Sequence, residues 1–338
     1  MKRTTILLTC VGLAAVFPTG SSQAEEAGAP ADEAWKVIAP FFAPPKEYAN
    51  DLGEHKPVLE FYDGTPVKTA AGWARRREET RKKWHGIMGP WPPLIDKPTI
   101  EYVAKEKKQN YTQHTVKIKL APKWDPWTSY LLIPDGAGPF PAAVVVYYYP
   151  EGALRFKRCD YARELARRGF VALSIGRADY DFIEKRWASM ARQMPEHQRG
   201  THCYWPDRQN PHLAPLSFMA YAAANACNAL ASLKEVDPKR VGIVGHSYGG
   251  KWTMFGACLY EKFACGVWSD PGVTLFKPRH GGANYYSRGY LGTRPKGAAK
   301  SAYRQIRDGG HDLHELQALM APRPFFVSGV RGGPDPKE

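Results

Sequence analysis

The stretch VGIVGHSYGGKW, residues 241–252, constrains this chain more than any other part of it. The run led by Val241, Ile243 and Val244 reads as a buried strand. GGKWTMFGACLYEKF after it reads as a helix. Ser247 therefore falls on a strand-to-helix turn, between Gly245 and Gly249. So tight a turn needs flanking residues without side chains, and it directs the serine hydroxyl outward at a helix N-terminus.

The same strand–helix alternation extends to both sides. FPAAVVVYYYP (140–150) is a continuous β-branched and aromatic run, the pattern of a strand buried on both faces. CDYARELARRG (159–169) has helical spacing, FVALSIG (170–176) is a second buried strand, and LSFMAYAAANACNALASLKEV (216–236) is a long apolar helix. CGVWSD (265–270) and RPFFVSGV (323–330) read as further strands, the second preceded by a helix in HDLHELQALMAP. The alternation predicts an α/β fold: a mostly parallel, doubly wound sheet with helices on both faces. Ahead of it, TIEYVAKE, HTVKIKLAP and TSYLLIPDG alternate in part and read as antiparallel strands. A chain of 338 residues, 43% hydrophobic, can bury a full core of this kind.

The first residues read as a leader. Lys2 and Arg3 precede an apolar stretch from Ile6 to Phe17, and Ser22-Gln23-Ala24 supplies a small-x-small cleavage site. This predicts a signal peptide at 1–24, export to the periplasm or beyond, and no stable membrane span. Residues 25–99 then form an N-terminal extension, and 100–338 the α/β domain. Within the extension, WARRREETRKKWHGIM (73–88) reads as a basic helix with one packed aromatic stripe.

The net charge of +14 points to an anionic partner such as a polysaccharide or cell envelope. No nucleic-acid-binding motif accompanies it, so nucleic acid is not expected as a partner. Of the six cysteines, removal of Cys10 with the leader leaves Cys159, Cys203, Cys227, Cys258 and Cys265, an odd set. Cys227 and Cys258 lie in apolar helical contexts and read as buried thiols. No CxxC occurs, and the pair His311 and His314 has no completing ligands, so neither metal nor organic cofactor is expected.

A serine on such a turn is a candidate nucleophile, and the backbone N–H of Tyr248 is a candidate oxyanion donor. The second donor should come from the loop after strand 142–149, from the N–H of Tyr149, Glu151 or Gly152, because Pro150 has none. Two acids are candidates for orienting a histidine: Asp270, at the end of the next strand, and Asp335, near the C-terminus. Asp270 ends a predicted strand, whereas Asp335 lies in RGGPDPKE, which has no strand or helix pattern.

With GHSYGG after VGIV, the chain resembles the α/β-hydrolase superfamily. More narrowly it is similar to exported bacterial carbohydrate esterases, near the acetyl xylan esterase and glucuronoyl esterase groups. Lys251, Asp270 in WSDPG, and HDLHELQALMAPRPFFVSG carry the narrower match. The resemblance implies that Lys251 contacts a sugar and that Asp270 stands where glucuronoyl esterases hold their triad acid. Tyr248 and His246 depart from it, replacing the arginine and cysteine of those enzymes. The resemblance also places the catalytic histidine after the final strand, yet no histidine follows His314 and the sequence stops at Glu338. The expectation is that the last strand and helix, with their histidine, are missing, and that this chain is poorly stable and nearly inactive. His280 in KPRHGGANYY is the other histidine weighed for the role.

The segments 177–213 and 271–305 fall where a cap or rim is expected, with Trp205 a candidate sugar-stacking residue among several aromatics. The functional expectation is a secreted serine esterase removing ester groups from polysaccharide, or from a small-molecule substrate, through a Ser247 acyl-enzyme. The alternatives are a non-catalytic binding protein on the same scaffold, and a dienelactone-hydrolase-like or peptidase-like enzyme.

Overall fold

The computed structural model describes residues 55–122, 126–155, 159–176, 214–272 and 302–328. Shorter stretches are described at 33, 35–37, 39–42, 46–48, 180–181, 186–187, 275 and 290–291. The leader, Cys203, Trp205, His280 and Asp335 lie outside the described residues. The chain divides into one unit at Met1–His55 and another at Lys56–Glu338. In the first, Ala39–Phe42 and Lys46–Tyr48 form short 3₁₀ turns.

The second unit opens with helix α1 (Ala70–Met88), capped by Thr69, whose side chain accepts from the Gly72 N–H. Strands β1 (Ile100–Lys107), β2 (Tyr111–Ile118) and β3 (Trp127–Pro134) follow and pair antiparallel. Next come β4 (Phe140–Val146), the single turn α2 (Gly152–Arg155), α3 (Tyr161–Arg167) and β5 (Val171–Ile175). Helix α4 (Pro215–Ala231), β6 (Val236–His246), α5 (Tyr248–Leu259) and β7 (Cys265–Ser269) continue the alternation. Helices α6 (Ala302–Asp308) and α7 (Leu313–Ala318) lead to β8 (Phe325–Ser328).

The eight strands form one sheet in the order β1-β2-β3-β5-β4-β6-β7-β8. From β5 to β8 neighbours pair in parallel, so the expected mostly parallel, doubly wound arrangement is present, with an antiparallel margin. The apolar run of β4 explains its central place: Val144 pairs with Leu173 of β5 on one side and Ile243 of β6 on the other. Helices α4 and α5 pack on β4 and β6, while α3 packs on β3, β5 and β4. The chain leaves β4 toward β5, then returns past it to β6. The C-terminal end of β4 is thus the point where strand order reverses, the usual place for a ligand site in such sheets.

Helix α4 is buried along nearly its whole length, and its two asparagines are satisfied rather than stranded. Asn225 accepts from the Ile95 N–H at 2.9 Å and donates to the Leu120 carbonyl, while Asn228 donates to the Ile95 carbonyl. Cys227 and Cys258 are buried free thiols, and burial pushes the Cys227 pKa up to about 12.

Helix α1 buries Trp84 and Met88, but its stripe also contains Arg76, 1% exposed. Arg76 lies over the Tyr62 ring at 4.0 Å and pairs with Glu79 at 2.9 Å and with the buried Glu315 of α7 at 3.7 Å. Glu315 also takes hydrogen bonds from Tyr62 and His311. Removing one partner of a buried pair strands the other charge. Arg76→Ala is therefore expected to lower unfolding stability by roughly 3 kcal/mol in urea titrations.

Candidate active site

Ser247 stands between β6 and α5 with φ 55° and ψ −109°, a conformation that costs a non-glycine residue about 1–3 kcal/mol. Two backbone bonds hold it there: its N–H donates to the Ser269 carbonyl at 2.7 Å, and its carbonyl accepts from the Lys251 N–H at 3.1 Å. The flanking glycines are required by contact. A Cβ on Gly249 would lie 2.0 Å from the Val146 carbonyl oxygen, and one on Gly250 would lie 2.3 Å from the Ser269 carbonyl oxygen. No backbone approaches another so closely with a side chain between them.

Asp270 follows β7, the strand beside β6, and it too has φ 55°. Its N–H donates to the Ser328 carbonyl of β8 at 2.7 Å. The ends of three neighbouring strands are thereby locked in step, Ser247 to β7 and Asp270 to β8. The structure thus brings Ser247 and Asp270 to the same end of adjacent parallel strands.

Lys251, one helical turn past Ser247, is fully buried, and its ammonium lies 5.1 Å from the centre of the Tyr290 ring. Burial lowers its pKa to about 7, with the Asp270 carboxylate opposing that shift. His246 places Nδ1 3.1 Å from Ser269 Oγ. Burial lowers its pKa, against the pull of Asp270 and with a contribution from Lys251. Tyr161 reaches the same place from α3: burial pushes its pKa up to about 12, and it shares a hydrogen bond with Ser269.

The Tyr248 side chain turns into the core. It stacks on Tyr148 at 4.7 Å, and its hydroxyl donates to Met219 Sδ at 3.3 Å. What it presents to the site is backbone, in the first turn of α5, where amides point out of the helix end. The loop after β4 abuts this turn directly, since the Gly249 Cβ position is 3.4 Å from Tyr147 Cα. On that loop the Gly152 N–H donates to the Tyr149 carbonyl at 3.1 Å. The Glu151 N–H has no acceptor among the described residues, so it is a better oxyanion candidate than the Gly152 N–H. The Glu151 side chain points elsewhere, accepting from the Tyr130 hydroxyl at 3.2 Å.

The other histidines of interest lie apart from this cluster. His311 is buried against Glu315 at 2.9 Å, and His314 faces the Lys56 carbonyl at 3.1 Å. Among the described residues no histidine hydrogen-bonds the Ser247 hydroxyl, and no group of three or more His, Cys, Asp or Glu is arranged to hold a metal. Tyr161, Ser269 and Tyr290 also border the site, which the sequence pattern does not announce. Only Ser269 carried a signal, as the residue next to Asp270 at a strand end.

No protein-family model matches the sequence, and no curated relative does. Among solved structures, a glucuronoyl esterase from Solibacter usitatus is similar at a TM-score of 0.61. It is 19% identical over 83% of this chain and 81% of its own. A putative acetyl xylan esterase from Bacteroides fragilis NCTC 9343 gives 0.56 at 16% identity, covering 91% of this chain and 77% of that one. A CE15 glucuronoyl esterase from Teredinibacter turnerae T7901 gives 0.55 at 17% identity, over 86% and 76%. The strand order, the turn at Ser247 and these likenesses together give this chain the α/β-hydrolase fold in the form seen in carbohydrate esterases.

Proposed function

We propose that this protein is an exported serine esterase that cleaves ester groups on carbohydrate through a covalent intermediate on Ser247. The observation that carries the reading is the strained Ser247 on a strand–helix turn, one strand from Asp270, which shares its positive φ of 55°. Strain of this kind persists where the surroundings over-determine it, and it collects at functional sites. The structural likeness to carbohydrate esterases supports the substrate class.

In the proposed reaction Ser247 Oγ attacks the ester carbonyl carbon and its proton passes through a base to the departing alcohol oxygen. The N–H groups of Tyr248 and Glu151 stabilise the tetrahedral oxyanion, and Asp270 is the acid that orients the base. Water then attacks the acyl-enzyme, returning the serine and releasing the carboxylic acid. Lys251 lies close enough to Asp270 to sense its charge, and it is the proposed sugar contact. Without a base the reaction would rest on oxyanion stabilisation and binding alone, roughly 10³–10⁴-fold over water.

Prolonged incubation with a fluorophosphonate should label Ser247, and Ser247→Ala should abolish the label. A folded chain that takes no label would overturn the enzyme reading in favour of a non-catalytic binding protein. Esterase rates on p-nitrophenyl acetate of about 10 s⁻¹, lost in both Ser247→Ala and His280→Ala, would identify His280 as the base.

A further inference from the structure

A groove of about 340 Å³ opens on the flank of the sheet, between α3 and the antiparallel strands β1 to β3. Its volume lies within the range of about 300–1,000 Å³ usual for ligand sites. Gln113 on β2 and Tyr130 on β3 project from one face of the sheet, since Tyr130 pairs with Thr115, two residues from Gln113. Arg163 and Arg167, four apart on α3, line the opposite wall with Arg155 from the end of α2, and Lys108 stands at the β1–β2 turn. The lining contains four cations and one carboxylate, Glu106.

The acids nearby do not quench this set. Lys108 pairs with Glu106, Arg163 with Asp160, and Arg167 with Glu164 at 3.1 Å. The Lys108 and Arg167 pairs are solvent-accessible, and such pairs are worth about 0–1 kcal/mol, so a ligand carboxylate can compete for these two cations. Arg163 is held more firmly, by the mostly buried Asp160 and by Glu164 at 3.9 Å. Arg155 is exposed and forms no ion pair among the described residues. Planar guanidiniums match carboxylate and sulfate groups, while the Gln113 amide and Tyr130 hydroxyl suit sugar hydroxyls. The groove is also joined to the candidate site: Tyr130 donates to Glu151, on the loop that follows β4.

We propose that this groove is a second, non-catalytic binding site for acidic polysaccharide, holding a carboxylated or sulfated chain beside the esterase site. The sugar class rests on the carbohydrate-esterase reading; the anion preference rests on the groove itself. A polymer held here would raise the local concentration of esters near Ser247 without touching the reaction.

The test is affinity electrophoresis of the full Ser247→Ala chain in gels containing polygalacturonate, chondroitin sulfate or neutral arabinoxylan. Retardation by one or both acidic polymers is expected, with polygalacturonate the stronger if carboxylate is the ligand and chondroitin sulfate if sulfate is. Adding Arg155→Glu and Arg167→Glu should weaken binding at least tenfold, with thermal melting confirming the fold. If the double variant melts early, Arg167→Gln alone should still give about a threefold loss. Undiminished binding by a folded charge-reversed variant would overturn the proposal. So would equal retardation by arabinoxylan, or tighter binding to phosphatidylserine vesicles than to either polymer. Because binding is read without turnover, a failed esterase reading leaves this result standing on its own.

Discussion

Lys251→Met is expected to make the protein more stable at pH 7, by about 4 kcal/mol in urea denaturation. In the folded chain the buried ammonium has its pKa lowered from 10.5 to about 7, while the unfolded chain keeps its proton until near 10.5. Between those values the unfolded state binds more protons, so parental stability rises with pH across that interval. Methionine fills a similar volume and has nothing to desolvate. Its advantage is thus complete below pH 7 and fades as pH approaches 10.5. Equal gains at pH 7 and pH 10, or no gain at either, would show that the ammonium is not held at a cost. Any esterase activity should fall in the same variant, the usual exchange of stability for function at a site that keeps an unfavourable charge.

Gly249→Ala should act in the opposite direction and at least as strongly. The added methyl would sit 2.0 Å from the Val146 carbonyl oxygen and 2.9 Å from its carbon, and both belong to the central strand β4. Backbone at the middle of a parallel sheet cannot shift by the ångström or more this requires, so a loss of about 4 kcal/mol or greater is expected. Fluorophosphonate labelling of Ser247 should disappear along with it. Gly86→Ala supplies the contrast, because nothing lies within 4 Å of its Cβ position on helix α1. There alanine is expected to stabilise by about 0.5–1 kcal/mol. Should Gly249→Ala melt like the parent, the tight approach of α5 to β4 would be wrong.

Much of the fold was legible because the signals were local. The apolar run of β4, the alternation from β4 to β8 and the glycines around Ser247 each record a steric or burial demand within a few residues. The place of Asp270 was legible for the same reason: it stands at the end of the strand after helix α5. The basic helix 70–88 shows the limit. Its charges read as a solvated face, yet Arg76 is buried, because its partner Glu315 is supplied by α7, far along the chain. The burial of Lys251 comes from neighbours such as Tyr290, which no local pattern announces.

The strand–turn–helix at Ser247, the central strand beside it and the α/β class follow from residues near one another in the chain, because sterics and hydrophobic periodicity act over that range. That Ser247 and Asp270 share one end of adjacent strands, that the Gly152 N–H closes a turn, and that Lys251 loses its water all come from packing between distant segments. Desolvation and strand pairing depend on what distant segments bring near, and the chain's local pattern holds no record of that.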